Sequence, residues 1–199
     1  MFFVRINDED EKGGLIMDNG ASSYRRFLEG DDNAFSEILD MYRDKLIFFI
    51  NRTINNLSVA EELAADSFAE LLIHPKRYNF SVSLKTYIFT IGHNKMVSYI
   101  RKNSRYVMTS LEDVTEKSVE YASFEEEVLR EEQRRLCNEA ISKLPKDYQT
   151  VLHLLYFENM SYEEAGKVMN KTVKQVTNLA YRGRNSLKNI LEQEGFEYA

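Results

Sequence analysis

Residues 161–190 read SYEEAGKVMNKTVKQVTNLAYRGRNSLKNI, and their punctuation settles the C-terminal architecture. Ser161-Tyr-Glu-Glu164 is a capping box, in which the serine hydroxyl accepts from the backbone three residues on and the glutamate reaches back. The helix it opens is short, ending near Met169, with Ala165 and Gly166 as small residues on its inner side. Asn170-Lys171-Thr172 makes the turn, and asparagine tolerates a left-handed conformation there. Thr172-Val-Lys-Gln175 then caps a longer helix, with Val176, Leu179, Leu187, Ile190 and Leu191 inward at helical spacing. Lys174, Thr177, Asn178, Tyr181, Arg182, Arg184 and Lys188 fall on its other face. A short capped helix, a three-residue turn and a longer basic helix make a helix-turn-helix. The start of such a second helix enters a major groove, which brings Lys174, Gln175, Thr177 and Asn178 to base edges. Arg182, Arg184 and Lys188 lie further along and suit phosphates, which set position rather than sequence. Two of these have a plainer reading as well: Gln175 as the second half of the cap, Lys188 as a solvated surface lysine.

Working outward, the rest of the chain is also helical in pattern. Only 2 prolines and 8 glycines occur in 199 residues, and 43% of the residues are hydrophobic, which argues against a turn-rich β fold and against a disordered chain. Phe35, Ile38, Leu39, Tyr42, Leu46, Phe49 and Ile50 form one helical face, with Asp31 or Asp32 as N-cap. Ser58-Val-Ala-Glu61 reads as a capping box for a helix carrying Leu63, Phe68, Leu71 and Leu72, which stops before Pro75. After the connector KRYNFSVS a further helix runs from about Leu84 to Asn103. Between Glu112 and Glu132 there are nine acids and two bases, the composition of a linker at a domain boundary. Ser123-Phe-Glu-Glu126 caps another helix running toward Leu144-Pro145. The expected fold is all-α: two small helical bundles, 22–108 and 124–194, preceded by a flexible extension, 1–21, and joined by a flexible acidic linker, 109–123.

Charge separates along the same lines. The net charge of −6 speaks against a nucleic-acid partner when averaged, yet Leu71–Leu111 holds seven cations and Lys167–Ile190 six, neither with a single acid. Charge kept together against its own repulsion is an electrostatic footprint. In the first window Lys76, Lys85, Lys95, Arg101 and Lys102 interleave with Tyr78, Phe80, Tyr87, Phe89 and Tyr99. Cations with aromatic faces suit single-stranded nucleic acid, where unstacked bases find a ring to lie on. The pattern is that of two cationic heads held apart by an anionic strap.

In two places the residues resemble a known family. LPKDYQTVLHLLYFENMSYEEAGKVMNKTVKQVTNLAYRGRNSLK is similar to the promoter-binding C-terminal domain of bacterial extracytoplasmic-function (ECF) sigma factors, and SVAEELAADSFAELL with SLKTYIFTIGHNKMVSYIRKNSR resembles their N-terminal domain. The resemblance spans about Tyr24 to Glu192. It implies a specificity subunit that binds core RNA polymerase and promoter DNA, both double-stranded and melted, in the cytoplasm, with an anti-sigma factor as a further partner. It also implies core contacts at Glu62, Asp66 and Phe68, capture of the minus-ten element around Asn94 and Lys95, and reading of the minus-thirty-five element by the second helix of the C-terminal motif. With the interleaved basic and aromatic residues, the minus-ten set is Lys76, Tyr78, Tyr87, Asn94, Lys95, Arg101 and Lys102. Tyr87 stands where the family usually has tryptophan, Ser98 where aspartate is common, Gln175 in place of threonine and Gly183 in place of alanine.

Other classes fit less well. His74, His93 and His153 are scattered, the single cysteine, Cys137, excludes a disulfide framework, and no nucleophile elbow, phosphate-gripping glycine loop or metal-spaced cluster occurs. No enzyme activity, cofactor or metal is expected, and no stretch is apolar for the length of a membrane span. The rival reading is a one-component helix-turn-helix repressor or activator, which would need a dimerisation domain to align two half-sites.

Overall fold

A computed structural model describes residues 20–103 and 135–193. The extension before Gly20, the acidic linker and the cap at Ser123-Phe-Glu-Glu126 lie outside the described residues. Among those described there are helices and turns and no strand. The N-terminal bundle has α1 (Ala21–Leu28), α2 (Asn33–Ile54), α3 (Leu57–Ile73), a 3-10 turn at Pro75–Arg77 and α4 (Leu84–Asn103). The C-terminal bundle has a helical segment over 135–142, here α5, then α6 (Lys146–Tyr156), α7 (Tyr162–Met169) and α8 (Val173–Gln193).

Local chemistry sets these boundaries, in two cases differently from the sequence pattern. α3 is capped by Asn56, not by a box at Ser58: Asn56 is extended and its side chain accepts from the Val59 N–H at 3.1 Å. Asparagine is as good an N-cap as serine, and it comes two residues earlier. At α2, Asp32 occupies the cap position but makes no side-chain cap bond. The carboxylate that serves is Asp31, accepting from Asn33 N–H at 3.1 Å while Arg26 holds it from α1.

Tyr24, Ile38, Leu46, Phe49, Ile50, Phe68, Leu71, Leu84, Ile88 and Phe89 are buried in the N-terminal bundle. Leu144, Val151, Leu154, Ala165, Val168, Val176 and Ala180 are buried in the C-terminal one and join the same hydrophobic cluster. The two bundles are docked on each other, α4 against α7 and α2 against α6, where the charge pattern had suggested heads held apart.

Candidate nucleic-acid interface

The helix-turn-helix forms as its spacing predicts. Ser161 Oγ accepts from Glu164 N–H at 3.2 Å while Ser161 N–H donates to Glu164 Oε2 at 3.0 Å. Asn170 takes the left-handed conformation, φ 52°, and ends α7. Gly166 lets the turn fold against the helix: a Cβ there would stand 2.7 Å from the Lys171 carbonyl oxygen. Gly183 has an equally local cause. It faces α6, where a Cβ would meet Tyr148 Cβ at 3.3 Å and Leu152 Cγ at 3.4 Å, so the loss of helix propensity allows α8 to lie close to α6.

On α8, Lys174, Gln175, Thr177, Asn178, Tyr181, Arg182 and Lys188 are exposed. Their free chemistry is narrower than their side chains suggest. Gln175 Oε1 accepts from Thr172 N–H at 2.8 Å and from its hydroxyl at 3.1 Å, and Gln175 N–H donates to Thr172 Oγ1 at 3.3 Å. The cap is therefore complete, and Gln175 keeps only its amide N–H groups for a ligand; a bidentate grip on adenine would need its oxygen as well. Thr177 donates its hydroxyl proton to the Val173 carbonyl at 2.9 Å, leaving lone pairs and a methyl group. Arg184 is half-buried and donates to Tyr156 Oη at 2.8 Å, an interaction that raises its pKa. It is anchored to α6, unlike Arg182. Lys188 pairs with Glu192 at 3.5 Å.

In the N-terminal bundle α3 and α4 border an open groove of about 390 Å³ lined by Leu63, Asp66, Glu70, Ile91, Asn94, Lys95, Ser98, Tyr99 and Lys102. Glu70 orders its cations: it pairs with Arg77 at 2.9 Å through one oxygen and with Lys95 at 3.4 Å through the other. Asn94, Lys76, Arg101 and Lys102 are exposed. The connector before α4 is bent at Phe80, whose φ of 60° is unusual for a bulky side chain. Arg25 lies 4.9 Å from that ring.

Two residues expected at these surfaces belong to the core. Tyr78 is 4% exposed, packs edge-on against Tyr24, and donates its hydroxyl to the Val82 carbonyl at 2.7 Å. It braces the connector and offers no face to a base. Tyr87, half-buried at 5.1 Å from the Tyr78 ring, is the more accessible of the pair. Phe68, 4% exposed, packs inside the bundle and cannot touch a partner. Glu62 and Asp66 are exposed on α3, and the exposed apolar residues of that helix are Leu57, Leu72 and Ile73. Sequence periodicity missed those last two because they continue the apolar pattern of the inward face.

Several polar groups that the sequence did not single out meet between the bundles. Lys85 Nζ lies 2.8 Å from Glu158 Oε2, and Glu164 Oε1 accepts from Thr86 Oγ1 at 3.2 Å and Ser83 Oγ at 3.3 Å. Burial pushes the Glu158 carboxyl up, but His153 and Lys85 more than offset this and leave it below the usual range. His153 sits beside it, 2% exposed, and burial pulls its imidazole below the ordinary value. Among the described residues no cluster of His, Cys, Asp or Glu is arranged to hold a metal ion, and no helix is long and apolar enough to cross a membrane.

Comparison with known proteins agrees with this geometry in both halves. The family described as Sigma-70 region 2 matches residues 38–106, and Sigma-70, region 4, matches residues 134–187. Among curated proteins the chain is 28% identical over 175 residues to the ECF RNA polymerase sigma factor SigW of Bacillus subtilis, covering 84% of this chain and 94% of that one. It is 25% identical over 155 residues to ECF RNA polymerase sigma factor SigM of the same organism, covering 76% and 91%. Among solved structures it is similar in fold to the sigma factor RpoE of Bartonella quintana, determined in complex with the anti-sigma factor NepR (TM-score 0.66, 22% identity, 79% of this chain and 96% of that one). A second is CnrH in complex with the cytosolic domain of CnrY, with TM-score 0.64, 19% identity, 88% of this chain and 99% of that one.

Proposed function

The chain belongs to the sigma-70 family as an ECF sigma factor, a polymerase-binding subunit that directs transcription initiation, and from that premise we propose how its own residues divide the work. The observation that carries the division is the pairing of an exposed polar face on α8 with a separate groove between α3 and α4, bordered on the α4 side by Asn94, Lys95, Tyr99 and Lys102. Lys174, Thr177 and Asn178 read base edges of the minus-thirty-five element, and Gln175 contributes an amide donor from within its cap. Arg182 and Lys188 contact phosphates, Tyr181 flanks them, and Arg184 positions α8 on α6 while presenting its remaining N–H groups.

Asn94, Lys95, Arg101 and Lys102 hold the melted minus-ten strand, with Tyr87 as the aromatic surface for an unstacked base and Lys76 on the backbone. Glu62 and Asp66, beside exposed Leu72 and Ile73, dock on core polymerase through a polar and apolar patch. An anti-sigma factor is a fitting partner too, since one solved relative is held by one. The domain from 22 to 108 carries the minus-ten and polymerase surfaces in this reading, and that from 124 to 194 the minus-thirty-five surface.

Reconstitution with core polymerase, followed by mapping of transcription starts on genomic DNA, tests the assignment. Defined starts are expected with the parent chain and loss of most of them with Arg182→Ala. Binding of duplex DNA as a dimer, without polymerase and without defined starts, would return the reading to a one-component regulator.

A further inference from the structure

The hydrogen bonds that close the N-terminus of α8 also fix what one of its side chains can offer to a base. The Thr172 backbone N–H can only donate, and it donates to Gln175 Oε1 at 2.8 Å. The orientation of the amide follows, with the oxygen turned back toward Thr172 and the nitrogen turned out. The Thr172 hydroxyl reinforces it, giving its proton to the same oxygen at 3.1 Å while accepting from Gln175 N–H at 3.3 Å. A free glutamine side chain both donates and accepts. In Gln175 the two lone pairs of the oxygen are both occupied within the protein. The residue is exposed, and among the described residues no group bonds its Nε2. What it turns outward is a pair of N–H donors with no acceptor beside them.

Its place on the helix makes that chemistry selective. Lys174, Asn178 and Tyr181, spaced four and three apart, run down the middle of the exposed face of α8, with Gln175 on one edge and Thr177 on the other. The turn behind it is held by left-handed Asn170 and by Lys171 N–H donating to the Gly166 carbonyl at 2.9 Å, so Thr172 and its partner are set before DNA arrives. The first turn of such a helix is the part that meets base edges in the major groove. There the four bases divide in two: guanine and thymine show a carbonyl oxygen, whereas adenine and cytosine show an amino group. A group that only donates bonds the first pair. Against the second it sets N–H facing N–H, and both lose water without gaining a partner. Guanine adds N7 beside its O6, a second acceptor for the second N–H.

We infer that Gln175 is a specificity-determining residue that selects a keto base, guanine ahead of thymine, at one position of the minus-thirty-five element, and that its bonds to Thr172 are what make it selective. The inference rests on the sigma-factor reading above and names the base class which that reading leaves open. A side chain that merely closed α8 would make the same bonds whatever base stood opposite, and would carry no preference.

Gln175→Glu separates the two roles. Glutamate keeps an oxygen for Thr172, since threonine with glutamate three residues on is itself a capping box, and its charge suits a helix N-terminus. It turns an acceptor outward where the amide turned donors. Holoenzyme reconstituted from the full chain and core polymerase is given a library of one mapped promoter, randomised through its minus-thirty-five element, and the transcribed templates are sequenced. The parent should favour guanine or thymine over adenine and cytosine by at least about fivefold at one position or more. Gln175→Glu should lose that preference, or turn it toward cytosine, at one of these positions alone. The added charge weakens every template alike through the phosphates, so ratios among bases are read, not yield. A preference that the variant retains at every position, an equal change across the whole element, or a parent with no keto preference overturns the inference while leaving the sigma reading intact. Absence of defined starts with the parent removes the sigma reading instead. If Gln175→Glu holoenzyme transcribes no template, Gln175→Ala decides: the keto preference at one position should fall to within about twofold of even, and its persistence overturns the inference.

Discussion

Gly166→Ala sets two physical effects against each other at the turn of the helix-turn-helix. The alanine methyl would lie 2.7 Å from the Lys171 carbonyl oxygen, and the same segment is tied by Lys171 N–H donating to the Gly166 carbonyl at 2.9 Å. The neighbour is backbone in a turn fixed by left-handed Asn170, so no side chain can rotate away. Alanine favours the helix over glycine by about 1 kcal/mol. Overpacking costs about 1–3 kcal/mol, and displacing the turn weakens a hydrogen bond of about 1 kcal/mol. The steric effect prevails, for a net loss of about 1–3 kcal/mol. The chain has no tryptophan, so urea unfolding is followed by far-UV circular dichroism and tyrosine fluorescence, whose coincidence licenses a two-state reading. With a slope near 2 kcal/mol per molar, the midpoint should fall by about 0.5–1.5 M. A variant stabilised by about 1 kcal/mol, the propensity effect alone, would refute the packing argument.

Three further outcomes follow from the site and from the seam between the bundles. Arg182→Ala should weaken binding of promoter duplex by the holoenzyme uniformly across sequences and reduce the salt slope by about one, whereas Asn178→Ala should relax preference at one base pair and keep the slope; fluorescence anisotropy over a salt series separates them. Phe68→Ala should cost about 3–5 kcal/mol in urea unfolding because the residue is core, while Glu62→Ala and Asp66→Ala should leave the unfolding midpoint unchanged and weaken association with core polymerase in a pull-down. Acid should open the seam. His153 has its pKa lowered from 6.5 by burial, so the undocked state binds its proton more readily; docking is fully favoured above 6.5 and weakens as pH falls toward the lowered docked value. Glu158, also lowered, acts in the same direction further down. Small-angle scattering from pH ~7.5 to ~5 should show expansion that His153→Gln displaces to lower pH.

Much of this molecule was legible because its signals are local. The capping box at Ser161 and the asparagine turn fix α7 and the start of α8 within three residues of each other, and the span Leu84–Asn103 for α4 was read from pattern alone. Burial was harder. Tyr78 and Phe68 look like surface candidates because they sit among cations or acids, and only the packing of α1 on the connector and of α3 on α2 places them inside. Gly183 looked like a defect in a recognition helix until the approach of Tyr148 gave it a purpose. The seam was the least legible part, since Lys85 meets Glu158 across 73 residues and Lys146 meets Thr53 across 93. Helical periodicity reports which face of an element is apolar, and says nothing of which charged residues will find each other between bundles.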